Sequence, residues 1–152
     1  MEFDPIAGAV TVSGDGLPRV ELRRTGGEAD AHTPVGTRAA DRLALTVDGA
    51  PAALALAKGR LTRRSYRVDA VCGDVRYRLV PDSFAGSRLL RDGRRLGTLE
   101  CEGDGRVEAS WSEGAKVLPL DVSVGHALAA GFGTGAQPMW MTATEIVADL
   151  LN

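Results

Sequence analysis

Large rings are scarce in this chain: two Trp, two Tyr and three Phe among 152 residues. Its core must therefore be built mainly from Val, Leu and Ala. Lysine is scarcer still, with two Lys against sixteen Arg, a bias that reflects a GC-rich genome rather than a function. Only two cysteines, Cys72 and Cys101, and two histidines, His32 and His126, are present. Nothing near them has CxxC or metal-ligand spacing, and a two-histidine site would need carboxylates such as Asp30 or Asp121 at no recognisable interval, so no metal is expected. No GxSxG or P-loop occurs, and no cofactor or catalytic set is expected. The glycine-rich stretches GAVTVSGDG and GFGTGAQ lack the strand–turn–helix context of a phosphate cradle. The start, MEFDPIAGAV, has neither a basic n-region nor an apolar h-region, so a cytoplasmic protein with two reduced thiols is the expectation. Long hydrophobic runs are also missing. Residues 122–133, VSVGHALAAGFG, are the longest uncharged apolar stretch, well short of the about 20 residues a bilayer requires. A transmembrane segment is excluded there, which leaves a ligand-lined helix or a buried core element.

What is abundant is turn chemistry. Asp-Gly occurs at Asp15-Gly16, Asp48-Gly49, Asp92-Gly93 and Asp104-Gly105, with Gly73-Asp74 as a fifth candidate. Asx-Gly between apolar runs marks a hairpin, because both central residues of a type I′ turn need positive φ. The flanks alternate. Val10 and Val12 precede the first turn and Val20 and Leu22 follow it. Leu43, Leu45 and Val47 precede the second, with Leu54 and Leu56 after it. Tyr66, Val68, Ala70 and Cys72 share a face, as do Val75, Tyr77 and Leu79, and Val107, Ala109 and Trp111. This period of two predicts one mostly β, antiparallel domain of roughly eight to eleven strands. Residues 25–37, TGGEADAHTPVGT, carry no periodicity and read as a loop.

The pattern changes after Pro119. Val122, Val124, Leu128 and Phe132 recur at helical spacing, with Asp121 or Ser123 as the N-cap. Near the C-terminus, Thr142 and Glu145 form a capping box and predict a short helix over 143–151. The Met139-Trp140-Met141 stretch before it either closes the core or forms an apolar patch.

Charge is uneven. Residues 58–95 hold eleven basic and four acidic residues, a net +7, against −3 for residues 1–57 and −6 for residues 96–152. Solvated sheet faces account for much of this. The sharper expectation is an anion-binding surface of Lys58, Arg60, Arg63, Arg64 and Arg67, extended by Arg76 and Arg78, because a guanidinium fork donates two parallel hydrogen bonds to phosphate. Nucleic acid is disfavoured by the acidic total charge and by the shortage of aromatics among the arginines, Tyr66 and Tyr77 excepted.

Residues 77–105, YRLVPDSFAGSRLLRDGRRLGTLECEGDG, resemble the tubby C-terminal-like superfamily, which includes the scramblase-like and LURP-one-related proteins. The likeness lies in a strand, the pair Leu89-Leu90, the turn Arg91-Asp92-Gly93 and the strand Leu96-Gly97-Thr98-Leu99, followed later by an apolar segment. It implies an antiparallel barrel around an apolar central helix, here residues 122–132. It also implies binding rather than catalysis, since tubby domains hold phosphoinositide headgroups through basic residues. The family helix lies at or near the C-terminus, whereas this chain continues into a second predicted helix. The expected function is thus a non-enzymatic domain that binds an anionic lipid, a phosphate-bearing ligand or a partner protein. The alternatives are an accessory protein docking through Met139, Trp140 and Met141, and an enzyme or carrier with a pocket at the barrel mouth. Tyr66, Tyr77, His126 and Trp140 are the pocket candidates.

Overall fold

The computed structural model describes residues 1–57, 66–82, 86–102 and 104–134. Among these residues ten strands form a single antiparallel sheet in chain order: β1 Glu2–Asp4, β2 Ala9–Gly14, β3 Leu17–Arg24, β4 Leu43–Val47, β5 Ala50–Leu56, β6 Val68–Cys72, β7 Val75–Pro81, β8 Gly86–Arg91, β9 Arg94–Glu100 and β10 Glu108–Trp111. Among the described residues one α-helix, α1 Pro119–Phe132, follows. The mostly β expectation holds, and the strand count falls within the expected range. Among the described residues no ladder joins β1 to β10, so the sheet is an open meander. The predicted helix over 143–151 lies outside the described residues.

The meander follows from its turns. Asp48 and Asp92 both take φ 48°, and the glycine after each is also left-handed, as a two-residue type I′ hairpin requires. Each aspartate also docks on the neighbouring strand. Asp48 Oδ1 accepts from the Arg19 N–H at 2.8 Å, and Asp92 Oδ1 accepts from the Arg76 N–H at 3.0 Å. At Gly73-Asp74 only the glycine is left-handed, the type II′ solution.

Alternation decides the core. Val10, Val12, Val20, Leu22, Leu45, Val68, Ala70, Tyr77, Leu79, Leu89 and Leu99 all point inward and are buried. At the edge of the sheet, Val107 and the β10 residues Ala109 and Trp111 keep their common face but are only half-buried. β5 passes between two ladders: Ala50–Ala52 pair with β4, and Ala53–Leu56 pair with β6. The loop over residues 25–37 carries no strand, yet its Val35 is fully buried, and its N–H donates to Gly131 O at 2.8 Å across the C-terminal end of α1.

α1 begins at Pro119, three residues before the apolar run over 122–133. Leu118 is the N-cap residue, Pro119 opens the helix with a preset φ, and Asp121 sits at the third helical position rather than capping from outside. Its Oδ2 reaches back to accept from the Leu118 N–H at 2.8 Å. From Ser123 to Phe132 only His126 is even partly exposed. Small residues allow this tight seating. A side chain at Gly125 would strike Leu89 and Leu99, and one at Gly131 would strike Leu22. No helix among the described residues is long and apolar enough to cross a membrane.

Two buried hydroxyls, Ser87 Oγ and Ser123 Oγ, have no hydrogen-bond partner among the described residues. A buried, unsatisfied polar group costs about 1–3 kcal/mol, and alanine is also the better helix former. Ser123→Ala is therefore expected to stabilise the fold by about 1 kcal/mol, read as a higher urea midpoint at unchanged slope. An unchanged or lower midpoint would show that the hydroxyl is satisfied in solution.

Candidate anion-binding site

The register of β7 and β8 sets Tyr77 directly opposite Arg91. Cross-strand partners share a face, so both side chains project inward at one level. There they meet Asp121 of α1. The Tyr77 hydroxyl donates to Asp121 Oδ1 at 2.6 Å, and Arg91 Nη1 donates to Asp121 Oδ2. Asp121 is 0 % exposed, and with the Leu118 N–H it gains three donors. A buried carboxylate is tolerable only when paired and hydrogen-bonded in this way. The phenol is pushed well above its ordinary pKa, by burial first and then by its bond to Asp121. Since Leu89, two residues from Arg91, faces Gly125, α1 runs antiparallel to β8.

Beside this buried cluster lies an open cleft of about 400 Å³, lined by Arg91, Arg94, Arg95 and Lys116 together with Leu96, Ser112, Glu113, Gly114 and Ala115. A β-bulge shapes it. Leu89 pairs with Gly97 but Leu90 pairs with Arg95, so Leu96 is an extra residue in β9. In a regular strand Arg94 and Arg95 would point to opposite faces. The bulge gives two exposed residues followed by two buried ones, and both arginines reach the cleft. Arg95 Nη2 donates to Thr98 Oγ1 at 2.9 Å, a contact between positions three apart that the same bulge permits. On its other side β9 carries Gly97 opposite Trp111, where an added Cβ would lie 2.4 Å from Ser110 O and 2.9 Å from Trp111 Cα. Backbone cannot yield as a side chain can. Gly97→Val is expected to cost about 1–3 kcal/mol and to loosen β10, seen as a lower melting temperature and faster amide exchange at Ala109 and Trp111.

Among the described residues, the cleft draws on Arg91, Arg94 and Arg95 from the far end of the basic segment 58–95. Lys58, Arg60, Arg63 and Arg64 lie outside the described residues, as does Trp140. Arg67 and Arg78 both pair with Asp69, at 3.7 and 2.6 Å, on the outer face of β6 and β7. Arg76 is exposed beside the Asp92 turn, at the cleft end of the sheet. The tyrosines are not brought together. Tyr77 lies at the start of α1, whereas Tyr66 sits under Arg38, whose guanidinium also covers Phe132 at the helix end. Arg38 donates to Ala57 O and Tyr66 O, and burial lowers its pKa. His126 Nδ1 donates to Val122 O at 2.7 Å, one turn earlier on the same helix. His32 is exposed in the loop over residues 25–37.

The sequence marks Asp121 only as a helix cap or a candidate carboxylate ligand and Arg91 only as part of a turn, and it gives Arg94, Arg95 and Lys116 no binding role of their own. A usable signal exists for Asp121: it adjoins the longest apolar run of the chain, and a carboxylate carried into a core must find a cation. No protein-family profile, curated protein or solved structure matches this chain.

Proposed function

We propose that this protein is a non-enzymatic binding domain for an anionic, phosphate-bearing ligand, held in the cleft between the β8–β9 hairpin and the segment after β10. The convergence of Arg91, Arg94, Arg95 and Lys116 on one cleft, against a single Glu113, carries this reading. A cleft of this size suits a small ligand or headgroup. Each charge-assisted hydrogen bond from such a residue is worth about 1.5–3 kcal/mol, roughly tenfold or more in affinity.

In the architecture proposed with it, the meander curls around α1 as a tubby-like barrel would. Supporting this, Gly125 faces Leu89 and Leu99 while Gly131 faces Val10 and Leu22. Those glycines are about 9 Å apart along a helix axis. Strands β3 and β8 would be about 24 Å apart in a flat sheet. Phe3 of β1 also packs on Gly105, just before β10.

Two arms test the ligand. One is calorimetric titration with sodium pyrophosphate. The other is co-sedimentation with phosphatidylcholine vesicles, with and without phosphatidylserine, at low and moderate salt. Pyrophosphate binding alone would indicate a soluble phosphate ligand; added retention on anionic vesicles, weakened by salt, would indicate a lipid headgroup. Either signal should disappear in Arg94→Glu/Arg95→Glu. Absence of both from the native protein, or binding that survives the double reversal, would overturn the proposal.

A further inference from the structure

We infer that Arg91 grips the anion bidentately, and that Asp121 is the residue that positions it. This deepens the proposed function and rests on it. Arg91 Nη1 has two hydrogens, and both have partners: Asp121 Oδ2, and Lys116 O at 3.3 Å. The opposite edge, Nε–H with Nη2–H, has no partner among the described residues, and Arg91 lines the cleft. Elsewhere the protein itself fills that edge. Arg19 turns Nε and Nη2 to Glu21, Arg42 turns them to Gly26 O, and Arg78 turns them to Asp69. This edge is the fork that takes two oxygens of one phosphate or carboxylate in parallel hydrogen bonds.

The fork is also held still. Asp121 is fully buried and takes hydrogen bonds from Tyr77 and Leu118 as well as from Arg91. The guanidinium is thereby fixed on one side by a carboxylate that cannot rotate away. Arg94 is exposed and its side chain makes no hydrogen bond or ion pair among the described residues, so it contributes charge without a set direction. A pre-oriented donor pair loses less freedom on binding, which is where its advantage over a mobile lysine or arginine comes from.

The decisive experiment exploits a sign. Asp121→Asn removes a negative charge beside the cleft. If Asp121 only screens Arg91, pyrophosphate should bind more tightly. Positioning predicts the reverse, a loss of about tenfold or more, measured by calorimetry on the full chain well below its melting temperature. Unchanged or tighter binding would overturn the inference, while native binding that depends on Arg94 and Arg95 would leave the cleft reading standing. If Asp121→Asn does not fold, Arg91→Lys against Arg94→Lys decides. Both keep the charge, but only the first destroys the oriented fork. Arg91→Lys should cost about tenfold and Arg94→Lys no more than about threefold. Equal effects would overturn the inference, and a native protein that ignores pyrophosphate and anionic vesicles alike would overturn both proposals.

Discussion

Replacing Arg91 with alanine is expected to lower the unfolding free energy by about 3–5 kcal/mol. The reason is the partner left behind. Asp121 is wholly buried, and its carboxylate would keep two neutral donors but lose its one cation among the described residues. Small domains hold about 5–15 kcal/mol in total, so such a variant would sit near the edge of folding. Urea denaturation followed by circular dichroism measures the loss. The same physics predicts rescue. Arg91→Met/Asp121→Leu/Tyr77→Phe removes the charges and the phenol together, and apolar replacement of a buried ion pair is often neutral or stabilising. The triple variant should recover most of the stability lost by Arg91→Ala. A single variant that loses less than about 1 kcal/mol would show that Asp121 reaches water or another cation when Arg91 is removed.

The second large effect is alkaline. Tyr77 is raised above its ordinary pKa in the folded protein, by burial and by its hydrogen bond to Asp121. An unfolded tyrosine ionises near pH 10, while the folded one stays neutral to higher pH. Between those two values the folded state binds the proton and the unfolded state does not, so stability falls as pH rises. The contribution is complete below about pH 10, and then declines by about 1.4 kcal/mol per pH unit, or about 3 kcal/mol over two units. The buried Cys72 thiol, also raised by burial, adds a fall in the same direction. Tyr77→Phe should be less stable at neutral pH, having lost a hydrogen bond to a charged group worth about 1.5–3 kcal/mol. It should also show a shallower alkaline decline. Parallel pH–stability curves for the native protein and Tyr77→Phe would show that Tyr77 does not carry this dependence.

Most of the sheet is legible in the order of residues alone. The five Asx-Gly or Gly-Asp positions each lie between strands, and the alternating residues around them face the core, fully buried in mid-sheet positions such as Val20, Leu22 and Leu79 and half-buried at β5 and β10. These are near-neighbour effects: a left-handed φ at Asp48 or Asp92, a side-chain period of two, an apolar run too short for a bilayer. The helix is legible as well, apart from its start. Asp121 and Ser123 have side chains that cap well, which points to a later start, but here both face the core, and Pro119 presets the first helical φ instead.

The cleft is less legible. Charge counting finds the basic segment 58–95, whose first residues, Lys58 to Arg64, lie outside the described residues. What makes Arg91, Arg94 and Arg95 converge is a single extra residue in β9, and no composition window registers a bulge. Arg67 and Arg78 look as available as any arginine in the sequence, yet the β6–β7 register puts Asp69 opposite Arg78, and both arginines turn to it.

By itself, then, the sequence determined the class of fold, the order of the hairpins and the placing of one apolar helix, because each depends on contacts within a few residues. Only the tertiary structure decided which charges are buried and which face solvent. Tyr77, Arg91 and Asp121 come from two strands and a helix, and Asp121 lies 30 residues from Arg91 and 44 from Tyr77 along the chain. Their meeting depends on strand register and helix direction, which are settled by packing the whole core at once.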